Sequence, residues 1–295
     1  MKKLLLFLFV LLAAFAGSFV LTKKIGEKKA EALLNMKVEG KFKPTPFAIK
    51  NHSFTIVVVG SNNGAHVAKT LSSVFAQNYE NYRLIYIDDA SNDGSHDLAR
   101  DLIYDSHHLG QVTLVRNEER LGVLANISRA VQACADDEIV VVLQGEDWLA
   151  HEWVLQRLNT YYADPDLWLT YGQYRDYPTY QLGICHEFKE EKFRTQPFAA
   201  SHLKTFYAGL FKKIRESDFI FQGKYLPACS ELAYMIPMLE MAKDHSHFIP
   251  EVLYICNRSA SYKEDREAQT RSEKFIRALD PYQPLTALQV IPCGE

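Results

Sequence analysis

Phe54–Val59 (FTIVVV) is a nearly unbroken apolar run that stops at Gly60, the pattern of a strand buried on both faces of a sheet. Behind it Val67, Leu71, Val74 and Phe75 recur at helical spacing, so a helix follows. The alternation then repeats. Arg83–Asp88 (RLIYID) reads as a second strand, and Leu98, Leu102 and Ile103 mark a helix beyond the turn signal Asn92-Asp93-Gly94. Val112–Val115 is a third strand, and Val123, Leu124, Ile127, Ala130 and Val131 outline its helix. Glu138–Leu143 (EIVVVL) is the fourth strand, with Trp153, Leu155 and Leu158 marking the helix behind it.

This order predicts an α/β fold, a Rossmann-like, mainly parallel sheet flanked by helices with right-handed crossovers. Parallel strands place their carboxyl ends on one edge, where ligands of open α/β sheets bind near a switch in strand order. Those ends carry GSNN (60–63), DDASND (88–93), RNEERLG (116–122) and QGEDW (144–148). Polar groups therefore converge on one crevice, although any one of these loops taken alone reads equally well as solvated. From Tyr161 the character changes, with 12 of the 16 tyrosines in the second part of the chain. Such rings can stack on sugar faces, while core packing accounts for most of them. The organisation expected is one half over 51–160, a second over 161–270 and a tail over 271–295.

The amino terminus differs in kind. Leu4–Thr22 is a run of 19 uncharged residues between lysine pairs. At ~1.5 Å per residue it just spans a bilayer core of ~30 Å, so residues 1–22 are expected to anchor the chain as a single membrane helix. Ala14-Phe15-Ala16 also fits a signal-peptidase site, which leaves a cleaved signal and an exported or lumenal protein as the alternative. The lysines after the run outnumber those before it, placing the globular part in the cytoplasm. Residues 23–50 read as a stalk.

A formal charge of −3 and the lack of any Lys/Arg stripe argue against a nucleic-acid partner. The five cysteines are odd in number and widely spaced, without a CxxC pair, so neither a zinc site nor a disulfide framework is indicated. Acids at strand ends without His or Cys neighbours favour a hard cation, Mg or Mn, held together with the phosphates of a substrate. No GxxxxGK[ST] loop is present and no GxGxxG follows the first strand, which removes P-loop kinases and dinucleotide oxidoreductases. An enzyme that draws charge onto a leaving diphosphate remains.

The order of motifs from Phe54 to Asn257 resembles the family 2 glycosyltransferases, which have the glycosyltransferase A fold. The most specific part is SVFAQNYENYRLIYIDDASNDGS (73–95), similar to the family's Gln, aromatic, strand and DDxSxDGS. RNEERLGVLANISRA (116–130) looks like its Asn-x-x-x-Gly segment. QGEDWL (144–149) stands where the family carries a metal motif, commonly Asp-x-Asp-Asp. PACSELAYMIPMLEMA (227–242) lies where a helix start bears the catalytic acid, and VLYICN (252–257) resembles the strand closing the acceptor side.

The resemblance implies a sugar transfer from a nucleotide-diphosphate donor to a glycan, lipid or protein hydroxyl, with inversion at the anomeric carbon, 51–160 being the nucleotide-sugar-binding half and 161–270 the acceptor-binding half. Asp89 would hydrogen-bond the base, Asp88 would support the turn, and Ser61, Asn63 and Gly122 would line the same pocket. Glu146 and Asp147 would hold Mg or Mn and the ribose-diphosphate. Glu231 would be the general base, its pKa lifted toward its task by burial. Gln144 replaces the first acid of the metal motif and is a neutral partner for ribose or water if Glu146 and Asp147 suffice for the cation. If they do not, the chain is a non-catalytic relative that binds a sugar nucleotide or a partner protein.

Several residues carry plainer readings. Asp88 and Asp89 are also ordinary turn formers, and Glu231 is also an acid favoured by the dipole of an exposed helix start. His245 and His247 either approach the metal or are loop histidines; Arg116 and Arg120 either meet phosphate or solvate a loop. Asn126-Ile127-Ser128 fits a glycosylation acceptor but falls on a predicted helix.

Overall fold

All seven residues of β1 (Phe54–Gly60) are buried, and alternate side chains enter two different cores. Val57 and Val59 join one cluster while Ile56 and Val58 join the other, which is why the run shows no polar alternation. The computed structural model describes residues 50–106, 108–188, 192–259 and 265–290. The expected membrane helix, nearly all of the stalk, residues 260–264 and residues 291–295 lie outside them. Among the described residues no helix is long and apolar enough to cross a membrane.

After β1 come α1 (Gly64–Phe75), β2 (Tyr82–Asp88), α2 (Ser95–Asp105), β3 (Val112–Arg116), α3 (Val123–Gln132) and β4 (Ile139–Gln144). Then follow β5 (Trp148–Leu149), α4 (Val154–Tyr161), β6 (Leu169–Tyr177), β7 (Lys204–Tyr207) and α5 (Ala208–Phe211). The pair β8 (Ile220–Phe221) and β9 (Lys224–Tyr225) precedes α6 (Ser230–Ala242), β10 (Ser246–Asn257) and α7 (Arg266–Ala278). The main sheet has eight strands in the order β3-β2-β1-β4-β7-β6-β10-β5. β7 runs antiparallel to β4 and β6, and β5 antiparallel to β10; the other pairings are parallel.

Because the chain leaves β1 toward β2 and β3 and returns to its other side at β4, the strand order switches between β1 and β4. Parallel register aligns Gly60 with Asp88, Asp88 with Arg116, and Val59 with Gln144, so the four expected loops do share one edge. Antiparallel β7 begins on that edge, Lys204 facing Val142, and strands from both 51–160 and 161–270 form the one sheet.

Some expectations differ from the structure. Trp153 does not belong to the buried face of its helix: it precedes α4, is 46% exposed and donates its indole N–H to Glu152. Leu98 and Val123, expected on buried faces, are exposed. α7, for which the sequence offers no apolar stripe, crosses the boundary placed at residue 270; it buries only Ala268, Ser272 and Ile276. The segment after it is irregular, as expected, yet docked through Tyr282, whose N–H donates to Glu240 and whose hydroxyl donates to Asp218.

Candidate active site

At the switch point β1 and β4 approach so closely that neither end tolerates a side chain. A Cβ on Gly145 would lie 2.5 Å from Asn63 Nδ2 and 2.7 Å from the Gly60 Cα, and one on Gly60 would lie 2.7 Å from the Asn63 amide. Asn63 fills the gap, donating to the Gly145 carbonyl at 2.6 Å while its own N–H bonds Ser95 Oγ. The structure thus places Asn63, expected in the donor pocket, as a buried latch between the two loops.

The acids after β2 are fixed the same way. Asp88 is fully buried, and its Oδ2 accepts the Ser91 N–H at 3.1 Å, holding the turn; Arg116 stands 4.0 Å away. Asp89 accepts from the N–H groups of Leu121 and Gly122, both at 2.9 Å, and from Asn117 Nδ2 at 2.8 Å. Burial alone would raise its carboxyl, but these donors hold it below the ordinary range. Ser61 donates to the Asp89 carbonyl at 3.0 Å. The structure therefore unites Ser61, Asp89 and Gly122 in one network whose Asp89 oxygens point into the protein, with the loop at Gly122 rather than open solvent as their partner. Asn126 is buried on α3 and bonded to Asn117 and to the Gly122 carbonyl, which leaves its side chain out of reach of a glycan.

The turn after β4 separates its two acids. Asp147 is 1% exposed; its Oδ2 accepts from the Tyr254 hydroxyl at 2.5 Å and its Oδ1 from the Asn257 N–H at 2.6 Å. Both oxygens are committed to β10, which locks the turn against the far part of the sheet. Glu146 keeps partial exposure, and none of the hydrogen bonds from other described residues reaches its carboxylate. Burial first, and then the Asp147 carboxylate, push Glu146 up to about 7. An acid held in that condition matches a cation's donor set, with phosphates and water supplying the remaining oxygens. Each oxygen of Asp147 already accepts one hydrogen bond, which leaves Glu146 the freer of the two acids.

Glu231 stands in the first turn of α6 with its side chain 22% exposed. It is ion-paired with Lys204 Nζ, and its Oε1 also accepts from Gln144 Nε2 at 3.4 Å. Its Oε2 accepts from Ser201 Oγ at 3.4 Å. Burial would raise this carboxyl, but the Lys204 ammonium above all, with the hydrogen bonds from Lys204 and Ser201, holds it below the ordinary glutamate range. The expectation of a base lifted by burial is thus reversed: the positive charge wins. Lys204, His202 and Ser201 escaped the reading of the sequence. The one available signal was a lysine interrupting an otherwise apolar stretch, LKTFYAGLF (203–211).

His245 immediately precedes β10 and His247 is its second residue, and β10 is parallel to β6, so they sit on the edge opposite the crevice. His245 stacks on Trp168 at 3.8 Å and His247 lies against Tyr161. Neither approaches Glu146.

Residues 55–219 match the description Glycosyl transferase family 2, more than half of the chain. No curated protein matches the sequence. Among solved structures, the S. aureus TarS 1–349 fragment in complex with UDP-GlcNAc aligns with TM-score 0.54 at 12% identity, over 73% of this chain and 63% of that one. The Pyrobaculum calidifontis mannosyltransferase PcManGT, with GDP-Man and Mn2+, aligns with TM-score 0.51 at 16% identity, over 73% and 59%. GalNAc-T7, with UDP, GalNAc and Mn2+, aligns with TM-score 0.51 at 16% identity, over 72% and 44%. The chain thus spans less than two thirds of each of these, and at such identities the likeness is one of fold, a glycosyltransferase A-like sheet. With the motif order, the switch-point crevice and the matched segment in agreement, the chain belongs to the glycosyl transferase family 2.

Proposed function

We propose that the chain transfers a sugar from a nucleoside-diphosphate donor to a hydroxyl acceptor, with Glu231 as the base. The observation that carries this reading is the meeting of Glu231 with Gln144 at the end of β4, two residues before Glu146, on the edge where the strand order switches. Glu231 accepts the acceptor's hydroxyl proton as that oxygen bonds the anomeric carbon, and the bond from that carbon to the diphosphate breaks with its electrons leaving on the nucleoside diphosphate. Attack opposite the leaving group inverts the anomeric centre. Glu146 would hold Mg or Mn, which when bound supplies positive charge to the departing diphosphate. Asp147 acts at one remove, aiming the turn that presents Glu146. The donors and Mn2+ named with the neighbouring structures support this choice of ligand class. Leu4–Thr22 would anchor the chain in a membrane with the globular part in the cytoplasm, the acceptor being a glycan, lipid or protein.

A non-catalytic relative that only binds a sugar nucleotide or a partner is favoured by one feature, the neutral Gln144 in the metal motif. Thermal unfolding with a panel of UDP- and GDP-sugars, with and without Mn, followed by donor turnover, separates the readings. A transferase shows one donor that raises Tm and is consumed, with Glu231→Gln keeping the Tm shift and losing turnover. A Tm shift without turnover in the wild type establishes the binding module, and no shift with any donor removes the transferase and the nucleotide-binding relative and leaves the partner-binding one.

A further inference from the structure

Lys204 is 1% exposed at the first position of β7, in the middle of the sheet. An ammonium so placed costs several kcal/mol unless it is paired and hydrogen-bonded. Its partners are the Glu231 carboxylate and His202 Nδ1 at 3.2 Å. Burial, and then the Lys204 charge, push His202 down to about 3, so the imidazole is neutral and offers Nδ1 as an acceptor. The ammonium therefore carries the positive charge of this cluster, and Glu231 is its anionic partner.

The donors to Glu231 come from across the sheet and none from its own helix: Lys204 from β7, Ser201 from the segment before it, and Gln144 from the end of β4. A carboxylate only accepts, so the group facing it at 3.4 Å must donate. An acid at position 144 would instead set two carboxylates against each other, and one would have to take up a proton.

We propose that Lys204 is a positioning residue of the transfer reaction, its buried ammonium keeping Glu231 ionised and aimed at the crevice while Gln144 serves the same carboxylate as a neutral donor. The proposal rests on the reading of Glu231 as the base. Other titratable groups facing Glu231 are His202, Asp147, Tyr234 and the thiols of Cys185, Cys229 and Cys256. The hydroxyl and the thiols are pushed up by burial and stay neutral through the working range, so Lys204 is the group that offsets the desolvation of Glu231.

The test is the pH profile of kcat/KM in the full chain, with the nucleotide sugar that raises Tm and saturating Mn so that Glu146 does not titrate in the window. Lys204→Met moves the acid limb up by about two pH units, the size of effect an opposite charge at contact exerts. Lys204→Arg returns the limb to its wild-type position. A limb in Lys204→Met that stays where the wild type has it overturns the proposal. A second arm needs no donor. Urea denaturation of Lys204→Gln and of the Lys204→Gln/Glu231→Gln pair asks whether the charge on Glu231 is what lysine removal exposes. Glu231→Gln should destabilise the wild type yet restore stability in the Lys204→Gln background, and additive losses overturn the pairing. If no sugar nucleotide binds but this cycle shows coupling, the transferase reading fails while the pair stands.

Discussion

His202 is 5% exposed, stacks on Tyr254 with ring centroids 4.5 Å apart, and is held neutral, its pKa pushed by burial down to about 3. In the unfolded chain the same imidazole titrates near 6.5. Between those values the unfolded state binds one more proton than the folded state, so the contribution of His202 to stability is present above 6.5 and is lost as pH falls. From pH 7 to pH 5 the loss is about 2 kcal/mol, at 1.36 kcal/mol for each unit below 6.5. Glu146 and Asp147, raised to about 7 and about 6, act with the opposite sign and gain stability over the same descent, so the wild-type curve alone would conceal the effect. The comparison that isolates it is His202→Gln, whose amide oxygen can still accept from Lys204 but does not titrate. Urea midpoints at pH 7, 6 and 5 should show wild type minus His202→Gln shrinking by about 2 kcal/mol toward pH 5. Parallel curves would mean that His202 is protonated in the folded protein, and the account of the Lys204 cluster would fail with it.

Other consequences are as direct. Asp147→Asn can keep both contacts, its oxygen accepting from Asn257 N–H and its amide donating to Tyr254, whereas Asp147→Ala strands two buried groups and should lose about 3 kcal/mol in urea denaturation. If Asp147 were a direct cation ligand, Asp147→Asn would weaken Mn dependence as strongly as Glu146→Gln; the geometry predicts that Glu146→Gln alone raises the Mn concentration needed for half-maximal donor stabilisation. Asp89→Ala frees the N–H groups of Leu121 and Gly122 and should cost about 3 kcal/mol, with protease cleavage near 117–122 as the readout; intact stability would refute the network. Because Asp89 is held below its ordinary range, its contribution is present above the unfolded pKa and lost as pH falls through the lower folded value. Gly145→Ala forces its Cβ against the Gly60 backbone and should destabilise by about 1–3 kcal/mol and reduce donor affinity; an unchanged Tm would show that β1 and β4 can part freely.

What could be read from the chain and what could not divide along sequence distance. β1, β2 and β4 announce themselves because both faces are buried, so each is a local apolar run with a polar end. The acids Asp89, Glu146, Asp147 and Glu231 are equally visible as residue types. Their orientation is not, since Asp147 is turned inward by partners 107 and 110 residues away and Glu231 is fixed by Lys204 from 27 away and Gln144 from 87 away. The four-residue β7 is too short for periodicity to declare it, and its antiparallel insertion beside β4 is a fact of topology alone. α7 shows the same limit from the other side, since Ala268, Ser272 and Ile276 at fourfold spacing, only one of them a large apolar residue, suffice to seat a helix on its neighbours.

The neutral end of β4 then follows from charge balance at the crevice. Among the acids that come down to that edge or face it, four are compensated differently: Asp89 by backbone N–H groups, Asp147 by a hydroxyl and an N–H, Glu231 by an ammonium, and Glu146 by no other residue among those described. A further acid at position 144 would face Glu231 at 3.4 Å and compete for the Lys204 charge. In water two carboxylates at that distance repel by about 1 kcal/mol, but the cost grows several-fold where water is scarce. Gln144 removes that cost and adds a donor. On this argument the altered motif is coupled to Lys204 rather than decayed, and Gln144→Glu should lower turnover while Gln144→Glu combined with Glu231→Gln should recover donor affinity but not rate. Higher turnover in the single variant would show instead that the position is a lost metal ligand.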